Sequence, residues 1–136
     1  MKGRVLVLCT HNSARSQMAE GFLRHLAGER FEVASAGTEQ TEVRPEAIEA
    51  MRKHGIDISS HRSKTLDQFL GQPWDYVITV CDDANEACPV FPGAKHRLHW
   101  SFPDPAAVAG PGRQAAFDRT ADALEDRIRS WLEAGT

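Results

Sequence analysis

The sequence predicts an α/β fold: a single domain with a four-stranded parallel sheet flanked by helices. Short apolar runs rich in β-branched residues alternate with longer segments whose apolar residues recur at helical spacing. That alternation implies parallel strands joined by helical crossovers. The chain has 136 residues, the size of one domain, and no repeat, low-complexity tract or linker divides it.

Arg4 to Leu8 is short and continuously apolar after its first residue, the pattern of a strand buried on both faces. From Ser13 to about Ala27, Met18, Phe22, Leu23 and Leu26 fall on one helical face, with Gly28 as the stop. Phe31 to Ser35 is a second short strand, closed by Gly37. Pro45 opens a helix through Ile48 and Met51 to Gly55, and residues 59–70 contain a further helical stretch. Asp75 to Val80 is a third buried strand that ends at Cys81. A short helix over residues 83–87 is stopped by Pro89, a fourth strand spans Arg97 to Trp100, and residues 103–105 form a loop. Arg113 to Leu132 carries Ala116, Phe117, Leu124, Ile128, Trp131 and Leu132 and closes the chain as a helix.

The formal net charge is −3, which argues against a nucleic-acid binder held by bulk charge. The apolar run Val5 to Leu8 is too short for a signal-peptide core or a membrane span, so the expectation is a cytoplasmic protein, and a monomer. Three cysteines, Cys9, Cys81 and Cys88, make a poor disulfide framework in such a chain. A free cysteine is ordinarily a small buried hydrophobe. Here, however, Cys9 follows the first strand, Cys81 the third, and Asp104 comes shortly after the fourth. Parallel sheets bind ligands beyond the carboxyl ends of their strands, so all three fall at one edge.

Between Cys9 and Arg15 lie Thr10, His11, Asn12, Ser13 and Ala14, a small polar loop leading into a helix. Its successive backbone N–H groups can curl into an anion-binding nest, and the helix N-terminus adds partial positive charge. Arg15 can fork onto a tetrahedral oxyanion. The same field favours a thiolate at Cys9, with Ser16 as a further donor to the sulfur. The strand end thus aims a nucleophile into a cradle for the ion it attacks. C-x5-R alone is weak, but preceded by a strand, followed by Ser and opening a helix it is specific.

The segment C-T-H-N-S-A-R-S-Q-M-A-E resembles the oxyanion loop of low-molecular-weight tyrosine phosphatases and of the arsenate reductases that share their fold. T-V-C-D-D-A-N-E-A-C-P at 79–89 is similar to the redox segment of thioredoxin-coupled arsenate reductases, and H-W-S-F-P-D-P at 99–105 to their general-acid loop. The resemblance runs over nearly the whole chain. It implies that the Cys9 thiolate attacks arsenate held by Arg15 and the backbone of residues 10–15. Asp104 then protonates the departing oxygen. It further implies that Cys81 attacks Cys9 and releases arsenite, that Cys88 attacks Cys81, and that thioredoxin reduces the Cys81–Cys88 disulfide. Glutaredoxin and a low-molecular-weight thiol are alternative electron donors. Thiol exchange of this kind needs no metal or organic cofactor.

Two departures from the family pattern stand out. Some members hold a potassium ion through residues matching Asn12, Glu20 and Ser35 together with an acid where this chain has Lys64, so an ammonium is expected in place of the ion. Ala14 stands where some members carry a cysteine. His11 lies in the loop and is expected to tune it, and His61 is expected to approach the anion. His96 and His99 point to opposite faces of their strand, no metal set is evident, and Trp74, Trp100 and Trp131 read as packing residues. The rival function is a phosphatase using Cys9, Arg15 and Asp104, and weak phosphatase side activity is expected even of a reductase. Such phosphatases usually carry aromatic residues after the acid loop, where this chain has Ala106, Ala107 and Val108. A non-catalytic redox or anion-binding module would dispense with Asp104, whose plain alternative role is to cap its loop. Finally, seven helical steps would set Cys81 and Cys88 about 10.5 Å apart along the axis. A disulfide needs Cα atoms within about 7 Å, so residues 82–88 are expected to unwind on oxidation.

Overall fold

The computed structural model describes residues 2–82 and 91–135. Strand β1 (Gly3–Cys9) is followed by α1 (Arg15–Ala27), β2 (Phe31–Gly37) and α2 (Pro45–Arg52), and then by β3 (Trp74–Thr79), β4 (Ala94–His99) and α3 (Arg113–Glu133). Single 3-10 turns occur at Leu66–Phe69, Pro105–Ala107 and Gly110–Gly112. The sheet has four strands in the order β2-β1-β3-β4 and every pair is parallel. Chain progression runs outward from β1 in both directions, so the strand order reverses beside it. The carboxyl end of β1, where Cys9 stands, is therefore the crevice at which such sheets take ligands.

Side-chain alternation along β1 explains its apolar run. Val5, Val7 and Cys9 join one core with Met18 and Phe22 of α1, Met51 of α2 and Phe117, Leu124 and Ile128 of α3. Leu6 and Leu8 face the other way and pack with Ala36, Trp74, Val77 and Phe91. All five residues from Val5 to Cys9 are buried, as a strand covered on both faces requires. The three long helices share the first core, and the turn at Leu66–Phe69 packs on the second through Leu66 and Phe69. Among the described residues, no helix is long and apolar enough to cross a membrane.

Two expectations change. The helical stretch expected within residues 59–70 is short, the 3-10 turn Leu66–Phe69. Asp57 Oδ1 accepts from the Ser59 amide at 2.8 Å, and the Lys64 carbonyl and amide bond Gly37 and Asn12, so an extended strap replaces the helix. The fourth strand spans Ala94–His99, not residues 97–100. Lys95, His96 and Arg97 of this edge strand are exposed, which erases the apolar signal, while backbone pairing to Trp74 and Tyr76 builds it regardless. His96 stacks on Tyr76, with centroids 5.1 Å apart, and His99 Nδ1 lies 2.6 Å from Thr79 Oγ1. Those partners are three apart on β3, so the two histidines take opposite faces as expected. Trp74 and Trp100 are buried, and Trp131 stacks on Phe31, so all three tryptophans pack. The helix expected over 83–87, Cys88 and the oxidation-linked unwinding of 82–88 lie outside the described residues.

Candidate active site

Four successive carbonyls of the loop after β1 are engaged from outside. Thr10 O accepts from the Thr38 amide at 2.8 Å, and His11 O from Thr41 Oγ1 at 3.1 Å and Ser63 Oγ at 3.0 Å. Asn12 O accepts from Gln17 Nε2 at 3.2 Å, and Ser13 O from the Arg44 amide at 2.9 Å. A trans peptide sets each following N–H opposite to its C=O. These outward bonds therefore turn the amides of residues 11 to 14 toward the interior of the loop, forming an anion nest. Helix α1 begins at Arg15 with no side-chain cap, which adds its N-terminal field to the same point.

Asn12 holds the curve. Its φ is 52°, the left-handed region that asparagine tolerates better than most residues. It is fully buried, and its amide is saturated. Oδ1 accepts from the Lys64 backbone N–H at 2.9 Å and from Gln17 Nε2 at 2.8 Å. The Lys64 amide can only donate, and that fixes which way the Asn12 side chain faces. Nδ2 then donates to Ser16 Oγ at 2.8 Å and Ser35 Oγ at 2.9 Å. Ser16 Oγ lies 2.8 Å from Cys9 Sγ. Asn12 fills one acceptor position on Ser16, whose hydroxyl can still exchange a hydrogen bond with the sulfur. Ser35 in turn reaches Glu20 Oε1 at 2.5 Å.

Arg15 is buried. Its Nη1 donates to Phe102 O at 2.9 Å, and its Nη2 is 3.9 Å from Asp104 Oδ2. The arginine thus ties the oxyanion loop to the loop expected to carry an acid. Asp104 serves the loop as well, since Oδ1 accepts from the Ala106 amide at 2.9 Å, capping the turn Pro105–Ala107 while Oδ2 is turned to Arg15. Cys9 and Cys81 terminate neighbouring strands. Leu8 pairs with Thr79 and Val80 N donates to Leu8 O at 2.9 Å, and both cysteines are buried in one core. Cys9 is a free thiol and Cys81 is disulfide-bonded.

Of the two histidines, His11 lies in the loop and on the wall of the cavity beside it, and His61 stands behind the loop. His11 is half-exposed, with Nδ1 3.2 Å from Glu39 Oε2. His61 Nδ1 is 3.1 Å from Gln17 Oε1 and 3.9 Å from Glu20 Oε2, so it braces the loop from behind. Burial pushes the His61 imidazole below its ordinary pKa, against the attraction of Glu20. Lys64 Nζ lies 3.7 Å from Glu20 Oε1, beside Ser35, and burial lowers its pKa too. Gln17, Ser63 and Thr41 are bracing residues the sequence did not single out. Only the fold brings Thr41 and Ser63 to His11, and no spacing marks them. Among the described residues, no group of three or more His, Cys, Asp or Glu side chains is arranged to hold a metal ion.

The model of the low molecular weight phosphotyrosine protein phosphatase family matches residues 4–135. An arsenate reductase of Halalkalibacterium halodurans is 44% identical over 133 residues, 96% of each chain. A solved arsenate reductase in its reduced state superposes with a TM-score of 0.81 at 29% identity, over 100% of both chains. The thioredoxin-dependent arsenate reductase of Corynebacterium glutamicum superposes at 0.69 with 30% identity, over 98% of this chain and 63% of that one. The chain therefore belongs to the low molecular weight phosphotyrosine protein phosphatase family, with arsenate reductases as its sequence relatives.

Proposed function

We propose that the protein reduces arsenate to arsenite by a relay through Cys9, Cys81 and Cys88, as a cytoplasmic monomer with thioredoxin as reductant. The supporting observation is the pairing of a free Cys9, wired to Ser16 and Asn12, with a disulfide-bonded Cys81 at the end of the adjacent strand. Arsenate sits on the amides of residues 11 to 14 with the Arg15 guanidinium forked onto two of its oxygens. The Cys9 thiolate attacks arsenic, and the departing oxygen takes its proton from Asp104 and leaves as water. The Cys81 thiolate then attacks Cys9 Sγ. The S–S bond forms as the S–As bond breaks, and the bonding pair stays on arsenic, which leaves as arsenite. Cys88 displaces Cys9 from Cys81, restoring the thiolate, and a dithiol donor reduces the Cys81–Cys88 bond. The cycle needs no metal or organic cofactor.

A second reading, hydrolysis of phosphomonoesters, is supported by the Arg15–Asp104 pairing, which suits either reaction. Against it as the main activity, the surface beyond Asp104 offers Ala106 and Ala107 where an aryl ring would be gripped. It stands as a weak side activity. The deciding experiment is arsenate-dependent NADPH oxidation with thioredoxin and its reductase, on the wild type and on Cys9→Ser, Cys81→Ser and Cys88→Ser. Each substitution is expected to abolish turnover, and full turnover in all three defeats the proposal. Asp104→Ala, assayed with arsenate and an aryl phosphate, tests the enzyme reading against a binding module: unchanged turnover of both would remove Asp104 from the mechanism.

A further inference from the structure

His11 and Ser13 of the loop after β1 line a cavity of about 560 Å³ whose walls also include Glu39, Arg44, Asp104 and Ala107. Clefts of roughly 300–1,000 Å³ hold drug-sized molecules, far more than a tetrahedral oxyanion fills. The mouth therefore has room for a substantial organic group attached to the ion in the loop.

Arg44 is the cation in that wall without an assigned task. Asp104 is turned to Arg15, and Glu39 to His11. The Arg44 backbone is fixed at both ends: its N–H donates to Ser13 O at 2.9 Å, and its carbonyl accepts from Ala47 and Ile48 at the start of α2. The side chain is half-buried, and among the described residues its guanidinium has no hydrogen-bond or ion-pair partner. Arg62 and Arg119 also lack one, but both are exposed on the surface. The half-buried guanidinium shares its cavity with Asp104, which faces Arg15, and is placed to meet charge on a group that extends from the loop. A planar fork of N–H donors best matches a carboxylate. Glu42 on the same wall is exposed, and solvent screens its repulsion of such a group.

We infer that Arg44 makes the mouth selective for organic phosphates and phosphonates that carry a carboxylate. The tetrahedral head occupies the Cys9 loop and the carboxylate pairs with Arg44. The inference rests on the oxyanion reading of the loop. Titration calorimetry on the reduced full-length protein tests it, with inorganic phosphate and two matched pairs of non-hydrolysable probes. The pairs are phenylphosphonate with 4-carboxyphenylphosphonate, and propylphosphonate with 3-phosphonopropionate, which set the carboxylate at two distances. The carboxylated member of at least one pair should bind on the order of tenfold more tightly to the wild type. That ratio should fall to about one in Arg44→Ala and lie between in Arg44→Lys, which keeps the charge and loses the fork. Using a ratio within each variant removes any general loss of affinity. No carboxylate preference in the wild type, or an undiminished one in Arg44→Ala, overturns the inference while leaving phosphate binding in the loop intact. Failure of inorganic phosphate to bind the wild type overturns the loop reading and this inference with it.

Discussion

At the scale of single residues, the site is organised by the direction of a few hydrogen bonds. The Lys64 amide orients Asn12, Asn12 bonds Ser16, and Ser16 Oγ shares a hydrogen bond with Cys9 Sγ. Ser16→Ala should therefore slow alkylation of Cys9 by iodoacetamide at pH 7 by about tenfold, near the worth of one charge-assisted hydrogen bond. An unchanged rate would mean that the sulfur owes nothing to Ser16. Behind the loop, the Lys64 ammonium stands beside Glu20 and Ser35, where a cation is expected in some relatives. Exchanging sodium for potassium in the arsenate assay should leave turnover unchanged, and strong potassium activation would refute the substitution of ion by ammonium. His61 is half-buried facing Glu20 and Gln17, with Arg24, Lys64 and Asp57 also acting on it, and its pKa lies below the ordinary 6.5. The unfolded chain then binds more protons than the folded one in this range. Stability is complete above about pH 6.5 and falls as the pH drops below it. Urea unfolding at pH 7.5 and 5.5 should show that loss in the wild type and a smaller one in His61→Gln.

At the scale of elements, the carboxyl end of β2 is as important to the loop as β1 itself. Gly37 pairs with Cys9 and passes so close that a Cβ there would meet Thr10 O at 2.7 Å and Asn12 N at 2.8 Å. Both are backbone atoms of the oxyanion loop and cannot swing aside. Gly37→Ala should cost about 1–3 kcal/mol of unfolding free energy, the range for overpacking, and weaken inorganic phosphate binding. Wild-type phosphate affinity in this variant would show that the loop tolerates displacement. The strap over residues 59–65 belongs to the same scale. It gives up helix to supply the Lys64 amide and carbonyl and the Ser63 hydroxyl to the loop.

At the scale of the whole molecule, one continuous core joins α1, α2 and α3 to a face of the sheet, and Cys9 and Cys81 are part of it. Phe117 of α3 is fully buried in that core, and Phe117→Ala should lower stability by about 3–5 kcal/mol. Chemical denaturation measures this, and a loss below 1 kcal/mol would mean that α3 is not integral to the fold. Lys53 with Asp118, and His54 with Asp122 and Glu125, tie the end of α2 to α3 at the surface of the same contact.

By itself the sequence determined the element order and the parallel sheet, and it placed Cys9, Arg15 and Ser16 at a strand-to-helix turn, Cys81 after β3, and Asp104 in a proline-bounded loop. These are legible because period and turn chemistry are local, and because a parallel sheet places every strand's carboxyl end at one edge. Only the tertiary structure decided which groups hold the others in place. Gln17, Thr41, Ser63, Lys64 and Arg44 are distant from Cys9 in sequence or carry no pattern, yet each bonds a loop group. It also decided that Asp104 caps its own turn with one oxygen while the other faces Arg15, and that His11 turns to Glu39. Hydrogen-bond partners are fixed by where the chain brings polar groups together out of water, and a linear spacing does not contain that information.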